Sequence, residues 1–168
     1  MLENLYLLLK SLPKELITII VAALPVSELR GAIPLALLTL KEPLLKVVFL
    51  SILGNLLPVL PLLLFLRPLS EKLRHLKLCR NFFDHLFERT RKKALLVEKY
   101  EALGLALFVA IPLPITGAWT GCIAASVFKV RLRYAFMAIC IGVTLAALIV
   151  TALTLAGRDI FYYLFLGR

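Results

Sequence analysis

No charged residue lies between Arg133 and Arg158. A run of that length matches the ~20 apolar helical residues needed to cross about 30 Å of hydrocarbon. A second run, residues 44–66, carries only Lys46 near one end and is also long enough to span. Between the two, residues 67–101 hold about half of all the charges in the chain. Charge segregated in this way marks membrane segments joined by a wet loop. With 61% apolar residues, a chain of 168 residues has more hydrophobic surface than a soluble fold of that size can hide. The fold class expected is an all-α integral membrane protein.

The net charge is +10. In a soluble protein that would invite a nucleic-acid reading. Here the basic residues flank apolar spans, where Lys and Arg collect on the cytoplasmic side and meet anionic lipid. No basic groove interleaved with aromatics is visible, so no nucleic-acid partner is expected. Cys79, Cys122 and Cys140 are widely spaced and His75 and His85 isolated, which gives no metal site and no redox motif. An enzyme is not expected, because the apolar segments hold no His-rich set, Ser/Lys pair or paired aspartates. The first residues lack the basic cluster and small-residue site of a cleaved signal, so the chain is read as retained whole, with residues 1–12 lying at the interface.

The breaks in the apolar stretches carry the organisation. Residues 16–24 are apolar but stop at Pro25, and residues 35–40 resume after Pro34 and end at Lys41-Glu42-Pro43. Neither piece can span alone, and together they predict a helical hairpin that enters and leaves the membrane on one side. Its turn contains Pro25, Ser27, Glu28, Arg30, Gly31 and Pro34. The stretch 44–66 then spans, with a kink expected where Gly54-Asn55 and Pro58 to Pro61 interrupt it, and Arg67-Pro68 closing it. Residues 67–101 read as basic amphipathic linker helices on the cytoplasmic surface, with Ser70 as a helix cap. Residues 103–128 are apolar but broken at Pro112, Pro114, Gly117 and Gly121. They form a second hairpin or a single proline-kinked span. Residues 134–156 span.

The order hairpin, span, linker, hairpin, span implies a repeat, about 13–66 and about 102–157, in a single membrane domain. Overlaying the halves needs an offset of 87 or 88 residues, which puts Pro25 on Pro112 and Gly54 on Gly142. If each hairpin re-enters and each following helix crosses once, the hairpins approach from opposite faces. That is an inverted repeat, as in many secondary transporters. The larger basic set places the linker in the cytoplasm.

Ionisable residues at membrane depth are costly and mark a pathway or binding site. Glu28 and Arg30 fit that description. Arg30 can fork onto a phosphate or carboxylate, Glu28 can orient the ligand or carry a coupling proton, and Gly31 permits close approach. The second turn offers Thr116, backbone amides near Gly117, and Thr120, while Trp119 serves equally as a lining residue or as an interface residue. Half-helix N-termini after Pro34 and Gly117 would favour an anion. Asn55 serves equally as helix-packing glue or as a ligand contact. A tethering role for Glu28 and Arg30 in an interfacial turn is the competing reading.

The segments Glu28-Leu29-Arg30-Gly31-Ala32-Ile33-Pro34 and Pro112-Leu113-Pro114-Ile115-Thr116-Gly117-Ala118-Trp119 resemble the two signatures of a prokaryotic membrane family, the small multidrug export proteins. The architecture is also similar to the DedA/VTT superfamily, whose members have two opposed re-entrant hairpins and include polyprenyl-phosphate and phospholipid translocases. DedA members carry charge in both hairpins, whereas the second turn here has none. The resemblance implies a transporter in the cytoplasmic (inner) membrane. Together with the residues, it leads to an expected homodimer that moves an amphiphilic anion such as a lipid-linked phosphate or phospholipid, with proton or sodium coupling and no other cofactor. The alternatives are an exporter of cationic amphiphiles and a non-transporting scaffold recruiting anionic lipid or partners through the linker.

Overall fold

A computed structural model describes residues 12–73, 94–113 and 116–165. All regular structure among them is helical. The elements are α1 (Lys14–Ala23), α2 (Glu28–Pro34) running into a π-helical turn (Leu35–Thr39), α3 (Leu44–Leu56), α4 (Val59–Leu73), α5 (Ala94–Ala110), α6 (Ala118–Val127) and α7 (Leu132–Phe165). The interfacial segment 1–11, most of the linker (with Cys79, His75 and His85) and Pro114 lie outside the described residues.

Two helical stretches, Leu44–Leu66 and Leu132–Arg158, are long and apolar enough to cross a membrane. Their surfaces show that they are not core helices of a soluble protein. Leu45, Phe49, Leu57, Leu64 and Phe65 point outward on the first, and Met137, Ile141, Leu148 and Leu153 on the second. The inward face of α3 is Val47, Ser51, Gly54 and Asn55. That of α7 is mostly alanine with Ile139, Val143 and Val150. Small and polar residues inside and large apolar ones outside is the pattern of helices solvated by lipid. This is a membrane protein.

Contacts group the chain into two compact units: residues 1–57 with 143–168, and residues 58–142. The units do not coincide with the sequence repeats, because each long helical stretch is divided between them. The first is divided at Leu57 and Pro58, where the helix is interrupted as expected. It does not close at Arg67-Pro68, however. Helix α4 continues through Pro68 to Leu73, which leaves Ser70 inside a helix rather than at a cap.

In the first unit α1 packs on α2 and on α3. The chain enters and leaves this hairpin at one end. Lys14 Nζ donates to the Leu40 carbonyl at 2.9 Å, and Lys46 pairs with Glu15 at 2.5 Å and with Glu42 at 2.8 Å. The hydrogen bond from Lys46 holds the Glu15 carboxyl below its ordinary range. A depressed carboxylate contributes stability above its unfolded pKa and loses it as pH falls through the folded one, although at this exposed site solvent keeps the contribution small.

Pro34 does not end the second arm of this hairpin. It lies within a continuous helix, and the following turn widens to π geometry, with Leu40 N–H donating to Leu35 O at 3.0 Å. A proline removes one amide donor and crowds the carbonyl four residues back. The helix is nevertheless continuous across Pro34, and the π turn follows on its C-terminal side at Leu35–Thr39.

In the second unit α5 and α6 fold back on each other, and α6 also packs on α4. A Cβ on Gly121 would stand 2.6 Å from Val109 Cγ2, so the arms touch at van der Waals distance. Residues 103–128 are therefore a hairpin and not one kinked helix.

The two halves share landmarks. Lys41 (φ 54) and Lys129 (φ 55) are both left-handed, and each lies three residues before the start of a long helix, at Leu44 and Leu132. After α6 the lysine completes a C-terminal cap, with Lys129 N–H on Ser126 O at 3.3 Å and Val130 N–H on Ala125 O at 3.0 Å. Further along, Gly54 presses on Ile19 and Ala22 of α1, and Gly142 on Ala106 and Val109 of α5.

Candidate functional site

The first turn is built by what Pro25 removes. Helix α1 ends at Ala23, and Leu24 is extended (ψ 138), as a residue preceding proline must be. The Val21 carbonyl would receive the amide of residue 25, which proline lacks. Ser27 Oγ donates to Val21 O instead. The chain then turns back, with Glu28 N–H on Leu24 O at 3.0 Å and Gly31 N–H on Ser27 O at 2.9 Å. Replacing Ser27 with alanine orphans that carbonyl and is expected to cost about 1–2 kcal/mol, read as a lower melting temperature in detergent.

Glu28 is the first residue of α2. It is left-handed (φ 46) and only 8% exposed. A non-glycine residue there carries about 1 kcal/mol or more of backbone strain. Buried carboxylates are rare in any protein. A site that is both strained and charged is where function is expected to override local preference. Leu29, Ala32, Ile33 and Ala36 bury the inner side of this arm, and Arg30 is half-buried. Glu28, Arg30 and Gly31 are therefore brought together on one helix turn. The first helix N-terminus stands at Glu28, not after Pro34, because Pro34 lies inside the helix.

The second turn is held by Thr116. Its hydroxyl donates to the Ile111 carbonyl, lies 3.1 Å from Leu113 O, and accepts from Leu113 N–H at 3.1 Å. The structure thus uses Thr116 to close the loop after Pro112, as Ser27 does in the other hairpin. Gly117 has φ 153, a conformation that favours glycine, and helix α6 begins at the next residue. Thr120 Oγ1 donates back to Gly117 O at 3.3 Å, and Trp119 is half-buried beside it. Gly117, Trp119 and Thr120 cluster at the start of α6, in the second unit, whereas Glu28, Arg30 and Gly31 belong to the first.

Residues 28–149 match the model of a family described as "Putative small multi-drug export protein". That is well over half the chain. The chain belongs to this family. No curated protein and no solved structure matches it. The family is named for export rather than for a catalysed reaction, which gives the membrane protein a transport role.

Two features of this exporter family member were not drawn from the sequence. In the second unit a groove of about 430 Å³ is lined by Glu101, Gly104, Leu105, Phe108, Ala124, Phe128 and Val130. Its lining is apolar but for one carboxylate, Glu101. In addition, Ser51, Asn55, Ser126 and Thr151 have buried polar atoms without a hydrogen-bond partner. An unpaired buried amide or hydroxyl costs about 1–3 kcal/mol. Ser51 and Asn55 stand one turn apart in a stretch that is apolar beyond Lys46, and that spacing was the signal available in the sequence.

Proposed function

We propose that this chain exports amphiphilic anions, with polyprenyl phosphates and phospholipids as the substrate class and Arg30 as the headgroup ligand. One observation carries the reading: the charged turn sits at the opposite end of α1 from the ionic cluster of Lys14, Glu15, Glu42 and Lys46. Helix α1 has 10 residues, so the two ends are about 15 Å apart at 1.5 Å per residue. With the ionic end at the headgroups, Glu28 and Arg30 lie near the middle of a ~30 Å hydrocarbon layer. A guanidinium at that depth is stable only beside anionic partners. The hairpin is then re-entrant, and parity makes the matched halves an inverted repeat, in line with the paired landmarks Lys41 and Lys129, Gly54 and Gly142.

A second reading has its own observation. The apolar groove lined in part by Glu101 suits a cationic amphiphile, and the family name points to drugs. The two separate by the sign of the ligand. Native mass spectrometry of purified protein offered polyprenyl phosphate and a cationic dye together is expected to retain the phosphate. Arg30→Ala is expected to lower that retention about tenfold or more, the worth of one charge-assisted contact. Retention of the dye alone, lost in Glu101→Gln and indifferent to Arg30→Ala, would move the function to cation export.

A further inference from the structure

Ser51 and Asn55 share the buried face of α3 with Val47 and Gly54. They are 0% and 1% exposed, and Ser51 Oγ, Asn55 Oδ1 and Asn55 Nδ2 all lack a partner. Residues four apart on a helix have Cβ atoms about 5–6 Å from each other, a gap that one small polar group bridges.

The molecule contains its own control. Helix α7 makes the same kind of backbone contact through Gly142 that α3 makes through Gly54. Three residues before and one residue after Gly54 stand Ser51 and Asn55. At the same two places around Gly142 stand Ile139 and Val143, which are 0% and 1% exposed. Branched aliphatic side chains therefore fill these positions as completely as the polar ones. Packing does not require the hydroxyl and the amide, and in a lipid-solvated fold their unpaired atoms oppose stability.

The unpaired atoms also restrict what occupies them. A bare cation would meet Oδ1 and Oγ but leave Nδ2 without an acceptor. An anion would meet Nδ2 and the serine proton but set Oδ1 against negative charge. Groups that both donate and accept suit this set, and a head with two hydroxyls can serve the amide oxygen and the amide N–H separately. Helix α2, which carries Arg30, packs on α3 within the same unit. We propose that Ser51 and Asn55 form a hydroxyl-binding subsite that reads the neutral, hydroxyl-bearing part of an anionic headgroup. This inference rests on the anion-export reading above, and it makes the preferred substrates anionic amphiphiles with hydroxylated heads. Because the two side chains are closed off from solvent, the head reaches them when the hairpin and α3 separate.

Water has the same hydrogen-bonding chemistry as a headgroup hydroxyl, so the test compares two lipids of equal charge. Phosphatidylglycerol and phosphatidylpropanol with identical acyl chains have the same head-group carbons and charge and differ in the two hydroxyls alone. Native mass spectrometry of the full chain is expected to show wild type retaining phosphatidylglycerol about tenfold better, the worth of one to two net hydrogen bonds. Ser51→Ile/Asn55→Val, which copies the pair beside Gly142, is expected to retain the two lipids equally while melting no lower than wild type. Should the double variant melt lower, Ser51→Ala, which adds no volume, is expected to reduce the preference about threefold. Wild type that retains both anionic lipids over phosphatidylcholine without distinguishing them overturns the subsite and leaves water as its occupant, with anion export intact. A preference that survives both variants overturns it too. Wild type that retains neither anionic lipid over phosphatidylcholine overturns the export reading, and the subsite with it.

Discussion

Gly54→Ala is expected to lower the melting temperature of this protein sharply, although alanine is the better helix former. A methyl group at Gly54 would overlap the Ile19 carbonyl oxygen and stand 2.9 Å from Ile19 Cα and 3.0 Å from Ala22 Cβ. All three are backbone atoms or atoms fixed to the backbone, so no rotamer change relieves the overlap. Helix α3 must move off α1, and overpacking of that kind costs about 1–3 kcal/mol. Gly142→Ala meets the Ala106 carbonyl oxygen and Val109 Cβ, each at 2.7 Å, and is expected to behave alike. Gly104 and Gly157 are the controls. Nothing lies within 4 Å of a methyl at either. Both are helical, so alanine there is expected to be neutral or to stabilise by up to about 1 kcal/mol. Thermal denaturation of the four variants in one detergent reads the contrast. Equal melting temperatures for Gly54→Ala and Gly157→Ala would mean that the helices do not meet at Gly54.

These contacts show which parts of the fold were open to reading. The spans are legible because a charge-free run of over 20 residues has few structural uses. The turns at Pro25 and Pro112 are legible because proline removes a donor at a known place. The pairing of Gly54 with Gly142 follows from spacing alone. Pro34 and Pro68 were misread because each lies inside a continuous helix, and whether a proline is held there depends on packing that no local pattern states. Thr116 poses a different difficulty. A hydroxyl beside two prolines suits a ligand or a turn equally well, and only the positions of Ile111 and Leu113 show that the turn takes it. For Asn55 the letter was visible, but its lack of partners belongs to the tertiary structure. Glu28 was singled out for its charge, while its left-handed backbone was unreadable, since nothing in Val-Ser-Glu-Leu calls for a positive φ.

That left-handed backbone sets up the second large effect. In a helix, alanine ordinarily exceeds glycine by about 1 kcal/mol. At position 28 the order is expected to reverse. Glu28→Ala removes the carboxylate but keeps a Cβ in the left-handed region, whereas Glu28→Gly removes both the carboxylate and the strain. Both variants lose the same side-chain interactions, so the difference between them isolates the backbone. Glycine is expected to be the more stable of the two by about 1 kcal/mol, seen as a higher melting midpoint. Both are expected to lose export in proteoliposomes almost completely, because the strain is tolerated for the sake of where it puts the carboxylate. A Glu28→Gly chain that folds as well as wild type and still exports would remove Glu28 from the site. An alanine variant more stable than the glycine one would mean that the turn does not hold residue 28 left-handed. Export lost while the glycine variant folds leaves one account standing: the first hairpin is shaped to hold a carboxylate where the backbone resists it, and that carboxylate works on the substrate.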